Sequence, residues 1–345
     1  MIPIQNIYYM LSYAFQVLNE QGYKNIATEQ FHNTAELMAA ILEKGIAIQL
    51  KRGLGKEYIP QTEALSSLRG KIDIAESIKT QSMLRKQLIC TYDEFSVNST
   101  MNQIIKSTVE LLLRSNISKQ RKKNLRKLMV YFSEVDFIDS YTVNWNVQYN
   151  RNNQTYRMLI SICYLVVKGL LQTQSNGHTK LMDFLDEQRM CRLYEKFILE
   201  YYRKEFKNQI TANASQIPWQ LDNEENSMLP VMQSDIMLQS GEKVLIIDAK
   251  YYEHSTQVQF DKHTLHSGNL YQIFTYVKNK EYELREKDHT VSGMLLYAKT
   301  DEEIYPNNVY QMSGNQIAVR TLDLNLPFDE IASQLNTIAK THFDL

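Results

Sequence analysis

A chain of 345 residues is long enough for two domains and a sizeable core. Its net charge of −1 excludes a global basic field, so any contact with nucleic acid has to come from local patches. Three scattered cysteines (Cys90, Cys163, Cys191) lack metal-ligand spacing, argue against a disulfide framework and suit a reducing cytoplasm, the compartment expected for this chain.

The opening MIPIQNIYYMLSYAF lacks the basic start and small-residue cleavage site of a signal peptide. After Pro3 and Asn6, the residues Ile7, Met10, Leu11, Ala14 and Leu18 keep helical spacing. A second helix is expected from about Thr34, stopping near Gly45. The next stretch, IAIQLKRGLGKEYIPQTEALSSLRGKIDI, spaces Gly53, Gly55, Pro60 and Gly70 between short alternating runs and reads as β-structure with projecting loops. It contains no Gly-x₄-Gly-Lys-Ser/Thr loop, so this chain is not expected to bind GTP itself. Two helices follow, near Ser99–Arg114 and Lys119–Phe132. They carry the one dense basic run, Arg114, Lys119, Arg121, Lys122, Lys123, Arg126 and Lys127. Such runs are usually solvated helix faces. The competing reading is a stripe on DNA phosphates, with Lys122, Lys123 and Arg126 as its candidates.

The segment Tyr149-Asn150-Arg151-Asn152-Asn153-Gln154 is the expected domain boundary, giving domains 1–150 and 151–345. Helical segments follow near Tyr156–Leu171 and Asp186–Phe206. The longest apolar stretch, Met158–Leu171, is interrupted by Ser161 and Lys168 and is too short to span a bilayer. In the second helix the apolar stripe is Met190, Leu193, Tyr194, Phe197, Ile198 and Tyr201. Glu195 and Glu200 flank it on opposite sides, so helical spacing does not choose between them.

The stretch from Val231 to Tyr252, VMQSDIMLQSGEKVLIIDAKYY, is the most informative. Two apolar runs flank Ser240-Gly241-Glu242-Lys243, and Gly at the first central position suits a two-residue type II′ loop. With Gly241 and Glu242 as the loop, Asp235 falls directly opposite Asp248. Strand alternation then puts Lys250 on the face of Asp248. Acidic residues on strands are mostly solvated. Here, however, the unbroken run Val244-Leu245-Ile246-Ile247 marks a strand buried on both faces, and a charge at its end needs a partner or a task. Opposed carboxylates repel, and a divalent cation removes that penalty. Two carboxylates and an ammonium on one face suit a Mg²⁺-dependent phosphodiesterase.

Three histidines, His254, His263 and His266, come next. Without a cysteine or a His-x₃-His pair they read as a mobile loop rather than a zinc site. A helix near Ser267–Lys278 would put Gln272 and Tyr276 one turn apart on one face, and a strand is expected at Ser292–Tyr297.

The order helix, hairpin with Asp and Asp-x-Lys, helix, strand resembles the PD-(D/E)xK nuclease core, with Ser234 standing where many members have Pro. The resemblance extends further. IPIQNIYYMLSYAF, the KRGL of Lys51–Leu54, LRGKID of Leu68–Asp73, NQIIKSTVELLL of Asn102–Leu113, IIDAKYY of Ile246–Tyr252 and NLYQIFTY of Asn269–Tyr276 together resemble the McrC family, the nuclease subunits of McrBC-type modification-dependent (5-methylcytosine) restriction systems. The similarity runs from residue 2 to about 300.

It implies an α/β (α+β) two-domain fold: an N-terminal mixed helix/β domain that binds and stimulates a partner, then a PD-(D/E)xK restriction-endonuclease-like domain. The implied partners are a McrB-like AAA+ GTPase hexamer, which binds GTP and recognises methylated DNA, and double-stranded DNA. Asp235 and Asp248 match the acidic metal ligands and Lys250 the motif lysine; with the Ala249 carbonyl the two acids would hold Mg²⁺. LYEKF resembles the family's helix, which favours Glu195 as a supporting acid, and related nucleases often use a glutamine like Gln272 near the scissile phosphate. Arg52, Tyr58, Arg69 and Lys71 would face the partner ring. The alternative is a regulatory or adaptor subunit on a nuclease-like fold that mainly activates the motor.

Overall fold

A computed structural model describes residues 2–19, 23, 26, 29–139, 142–151, 153–175, 187–222, 228–252, 257–259, 262–299 and 305–345. The chain divides into two compact units, Thr28–Phe184 on the one hand and Met1–Ala27 with Leu185–Leu345 on the other. The boundary therefore falls about one helix later than the expected residue 150, and the N-terminal helix belongs with the C-terminal half. That helix, α1 (Ile4–Ala14), buries the predicted stripe Ile7, Met10, Leu11 and Ala14, and Leu18 is buried in the turn that follows.

The unit Thr28–Phe184 begins with α2 (Thr34–Arg52). Its start is fixed by Asn33, whose side chain accepts the Glu36 N–H, and its end by Gly53 at φ 89°. The helix does not stop at Gly45, because Leu42, Ile46 and Gln49 continue the buried face through that residue. A ribbon follows: β1 (Glu57–Leu65), β2 (Lys71–Asp73), the short α3 (Ile74–Lys79) and β3 (Leu88–Ser96), in the order β1-β3-β2. Gly70 has φ 69°, and an added Cβ would collide with the Thr91 carbonyl, so only glycine fits where β2 joins β3.

Helices α4 (Thr100–Arg114), capped by Ser99, and α5 (Lys119–Met129), capped by Ser118, start as the sequence predicts. With α6 (Tyr156–Ser175) and α2 they enclose a core that includes Ile41, Ile105, Val109, Leu159 and Val166. The root of the ribbon is tied to this core. The buried Tyr156 hydroxyl accepts the Gly55 N–H (2.7 Å) and donates to Asn102 (2.7 Å), whose amide donates to the Gly55 and Val97 carbonyls.

The other unit continues with α7 (Glu187–Glu205), β4 (Thr211–Asn213), β5 (Gln216–Ile217), β6 (Met232–Gln233), β7 (Ile236–Ser240), β8 (Lys243–Lys250), β9 (Gln257–Gln259), β10 (Lys262–Thr264), α8 (Ser267–Glu283), β11 (Thr290–Ala298), β12 (Asn308–Met312), β13 (Asn315–Leu322) and α9 (Phe328–Phe343). Six strands form one mixed sheet in the order β12-β13-β11-β8-β7-β4, with β11 parallel to both β8 and β13. A parallel strand beside β8 explains its continuous apolar run, since α8 on one face and α7 on the other leave none of it in water. Strands β12 and β13 and helix α9 lie beyond the elements predicted from the sequence. α1 joins this unit through Asn6, which donates to the Leu324 and Leu326 carbonyls, and through Tyr13, whose ring lies against Phe197, Tyr201 and Phe328. Among the described residues no helix is long and apolar enough to cross a membrane.

Candidate active site

The β7–β8 hairpin has the register inferred from its turn: Ser240 pairs with Lys243 and Ile236 with Ile247. Gly241 has φ 56° and Glu242 is not among the residues of positive φ, which is the type II′ pattern; a type I′ turn needs both positive. One step beyond the ladder, Asp235 stands beside Asp248, and its Oδ2 accepts the Ala249 N–H at 3.0 Å. Lys250 shares the Asp248 face, its Nζ 3.0 Å from Oδ1 and 2.9 Å from Oδ2. Asp248 is 1% exposed.

Ser234, where a proline is common, donates its backbone N–H to the Ser215 carbonyl (3.0 Å), a bond proline cannot make. The β5–β6 pair thereby holds the entry to Asp235.

The sheet and two helices complete the site. From α8, Gln272 accepts from Lys250 Nζ (3.4 Å) and donates to the Tyr276 hydroxyl (2.9 Å), so both predicted helix residues lie together behind the lysine. From α7, Glu195 faces the acid pair closely enough for the Asp235 charge to raise its pKa, after burial as the main cause. Glu200 is engaged elsewhere, accepting from Arg203 at 2.7 Å while Arg203 also donates to the Ala212 carbonyl on β4. Between the two glutamates, the fold brings Glu195 to the site.

Four neighbours, Cys191, Tyr252, Asn269 and Tyr297, were assigned no role at the site from the sequence. Cys191, one turn before Glu195, donates its thiol to that carboxylate (3.1 Å). Tyr297 lies beside Lys250 on the parallel strand β11 and is fully buried. Its hydroxyl accepts from Asn269 (2.9 Å), and Asn269 in turn accepts from Tyr252 (3.3 Å). Parallel pairing between distant strands leaves no local mark in the sequence, so only the NLYQ motif pointed toward Asn269.

The electrostatics of the pair follow from burial. Desolvation raises both aspartates, Asp248 to about 7, against the pull of Lys250. Lys250 loses hydration too, but the two carboxylates outweigh that loss and hold its pKa above the usual lysine range. Asp248 Oδ2 is enclosed without a well-aligned hydrogen-bond donor, although the ammonium lies close by. Two adjacent carboxylates, both held reluctant to ionise by burial, fit a hard divalent cation. Among the described residues no three His, Cys, Asp or Glu side chains converge as a metal-binding group. A cation here would rest on Asp235, Asp248, the Ala249 carbonyl and water.

The remaining candidates lie in the other unit. Arg52 and Lys71 are exposed, Tyr58 is 72% exposed with its ring tilted against that of Phe95 (5.0 Å between centroids), and Arg69 covers the Tyr92 ring at 4.1 Å. In the basic run, Arg121 is committed to the fold: it pairs with Glu29 (2.7 Å), Glu36 (3.4 Å) and Glu43 (2.9 Å), binding α5 to α2. Lys123 and Arg126 are exposed and Lys122 is half-buried. His254 lies outside the described residues, His263 is in β10, and the His266 ring lies 5.2 Å from that of Tyr252 at the start of α8.

A family model described as "McrBC 5-methylcytosine restriction system component" matches residues 5–298. The "Type IV methyl-directed restriction enzyme EcoKMcrBC" of Escherichia coli (strain K12) is 30% identical over 342 residues, 97% of this chain and 96% of that protein. Among solved structures, a half-complex from the tetradecameric assembly of Thermococcus gammatolerans McrB AAA+ hexamers with bound McrC overlays with a TM-score of 0.49 at 17% identity, covering 97% of this chain and 76% of that one. The Thermococcus gammatolerans McrBC complex overlays at 0.42 with 20% identity, over 59% of each chain.

Proposed function

The chain belongs to the family of McrBC 5-methylcytosine restriction system components, and from that premise we propose that it is the subunit that cuts: a Mg²⁺-dependent DNA endonuclease working with a McrB-like AAA+ GTPase. The observation that carries this reading is the group Asp235, Asp248 and Lys250 at the end of one hairpin, met by Gln272 from α8, the PD-(D/E)xK arrangement. When bound, Mg²⁺ supplies Lewis-acid polarisation of the phosphodiester and a water of lowered pKa.

The protein groups do the rest. The Ala249 N–H fixes Asp235 Oδ2, so one carboxylate oxygen is oriented before any ligand arrives. Asp248 and Gln272 hold the Lys250 ammonium, which stays protonated and stabilises the negative charge that grows on the phosphate. Glu195 on α7, its pKa raised by burial and by the Asp235 charge, is the candidate acid for exchanging a proton with the reacting water or the leaving oxygen.

The unit Thr28–Phe184 takes the partner in this reading. Its ribbon exposes Tyr58, Phe95, Arg69 and Lys71, and the chain has no phosphate-binding loop of its own, so GTP belongs to the partner. Lys122, Lys123 and Arg126 are its candidates for DNA phosphate contact. The complex would act on cytoplasmic DNA.

The test is cleavage of methylated and unmethylated duplex DNA with Mg²⁺, with and without partner and GTP. Asp248→Asn and Lys250→Ala should lose about a hundredfold or more in cleavage, yet stimulate the partner's GTP hydrolysis as the parent does. Full cleavage by Asp248→Asn would refute the nuclease reading. Stimulation without cleavage by the parent itself would establish the adaptor.

A further inference from the structure

Beside Lys250, three residues form a hydrogen-bonded group that the chemistry described above leaves unused. Asn269, in the first turn of α8, is buried, and its carboxamide is engaged at both ends. Its Oδ1 accepts the Tyr252 hydroxyl (3.3 Å), and its Nδ2 donates to the Tyr297 hydroxyl (2.9 Å). Tyr297 is fully buried on β11, paired with Lys250 across the parallel ladder, and Tyr252 follows Lys250 by two residues. The two phenol rings lie 6.2 Å apart. One side chain of α8 thus grips the strand next to Lys250 and the chain just beyond it.

Buried polar groups cost stability unless each finds a partner, and apolar side chains of similar shape can fill such a space with little or no loss. Stability alone therefore does not account for the trio. What hydrogen bonds add to apolar packing is direction. Ile273 and Val277 seat α8 over Gly293, and apolar contact of that kind is non-directional. Lys278 ties the helix to Asn315 (2.6 Å), but more than one turn beyond Gln272 and through a long flexible chain. Asn269 lies three residues before Gln272, about 60° round the helix axis from it.

Direction matters at Gln272. Its Oε1 is 3.4 Å from Lys250 Nζ, already longer than the usual hydrogen bond. Turning α8 by about 10° away from the lysine moves a side chain roughly 5 Å from the axis by about 0.9 Å. That breaks the contact, and a displacement of this size at a reacting centre costs up to about a hundredfold in rate.

We propose that Asn269 is a positioning residue of the Lys250 site: shared between the Tyr252 and Tyr297 hydroxyls, its carboxamide fixes the rotation of α8 and so keeps Gln272 on the ammonium. The task of that ammonium rests on the nuclease reading above.

The test has two readouts on the full chain. One is cleavage of methylated duplex DNA with Mg²⁺, partner and GTP, resolved into kcat and KM. The other is the rate at which acetic anhydride acetylates Lys250 in the chain alone, read by mass spectrometry. Asn269→Leu is close in shape and removes both hydrogen bonds. It should lower kcat about tenfold with KM within about twofold, and raise acetylation of Lys250 severalfold. Gln272→Ala should do the same, and adding Asn269→Leu to it should change neither readout further, because Asn269 acts through Gln272. Replacing the whole trio, with Asn269→Leu, Tyr252→Phe and Tyr297→Phe together, should return the melting temperature to within about 2 °C of the parent's while kcat stays low. Losses that multiply when Asn269→Leu and Gln272→Ala are combined overturn the proposal. So do parental kcat and acetylation in Asn269→Leu, or a kcat recovered by the triple variant. If Asn269→Leu does not fold, Tyr252→Phe with Tyr297→Phe takes its place in the same comparison. A parent chain that never cleaves DNA sinks the nuclease reading alone, since acetylation of Lys250 still reports whether Asn269 holds Gln272 in place.

Discussion

Asp248 is the residue on which the chemistry and the stability of the site meet. Burial, with the Asp235 charge behind it, lifts its carboxyl to about 7 although Lys250 opposes the shift. The unfolded chain titrates this group near the ordinary aspartate value, about 4. Between those two values the folded state holds a proton that the unfolded state has lost. This group's contribution to stability therefore falls as pH rises through that window. A bound cation reverses the balance above the window, because it replaces the proton as the partner of the carboxylates. The rise in melting temperature produced by saturating Mg²⁺ should thus be larger at about pH 8 than at about pH 6, and the apparent Mg²⁺ affinity should drop by up to about tenfold per pH unit below 7. Differential scanning fluorimetry at the two pH values measures the first and calorimetric titration the second. Equal Mg²⁺ effects at both would place the cation away from Asp248. At this scale the sequence was readable where one turn fixes the geometry: Gly241 and Glu242 set the register, and the register brings Asp235 to Asp248 and Lys250. It was not readable where two elements meet. Glu195 and Glu200 flank the same stripe, and only the packing of α7 on the sheet separates a carboxylate beside Asp235 from one paired with Arg203.

Helix α8 carries Gln272 to the site, and Gly293 on β11 sets how close the helix sits. A Cβ at Gly293 would stand 2.8 Å from Ile273 Cγ1 and 2.8 Å from Val277 Cγ2, both buried on α8. Gly293→Ala should therefore push the helix outward, costing about 1–3 kcal/mol by overpacking and moving Gln272 away from Lys250. The expected result is a lower melting temperature together with a loss of cleavage that persists at temperatures where the variant is fully folded. Gly268→Ala is the control, since nothing lies within 4 Å of its added Cβ and alanine favours the helix. Cleavage by Gly293→Ala equal to the parent's in the folded range would show that the α8 position does not matter. The sequence placed α4, α5 and α8 close to their observed ranges, and the structure adds the caps Ser99 and Ser118. Element ends were harder. Gly45 looked like a terminator, but Ile46 and Gln49 keep the buried face of α2 going to Gly53, where the positive φ makes the true stop. The edge strand β12 was invisible for a related reason: it pairs on one side only, and three of its five residues are exposed, so it carries little apolar signal.

For the whole molecule, the position of the cut between units decides which fragments fold. A boundary at the polar segment near residue 150 removes α6, and with it Leu159, Ile162, Val166 and the Tyr156 hydroxyl that ties Gly55 to Asn102. The same cut keeps α1, whose Asn6 and Tyr13 have their partners at Leu324, Leu326 and Glu205. A fragment of residues 1–148 thus exposes two apolar faces at once, one on α4 and one on α1, and loses the hub at the ribbon root. A fragment of residues 28–184 keeps its core whole. The second should melt cooperatively and stimulate GTP hydrolysis by the partner, whereas the first should bind a hydrophobic dye, melt broadly and stimulate weakly. Circular dichroism melts and a GTPase assay on the two fragments settle the comparison. A cooperative, fully stimulating 1–148 fragment would mean that α6 contributes nothing to the ribbon's support. Composition marked the polar stretch at 149–154 as a linker because loops and boundaries share the same residues. What it could not register is that the next helix packs backwards onto α4 and α2, a choice made by long-range burial rather than by any residue at the junction.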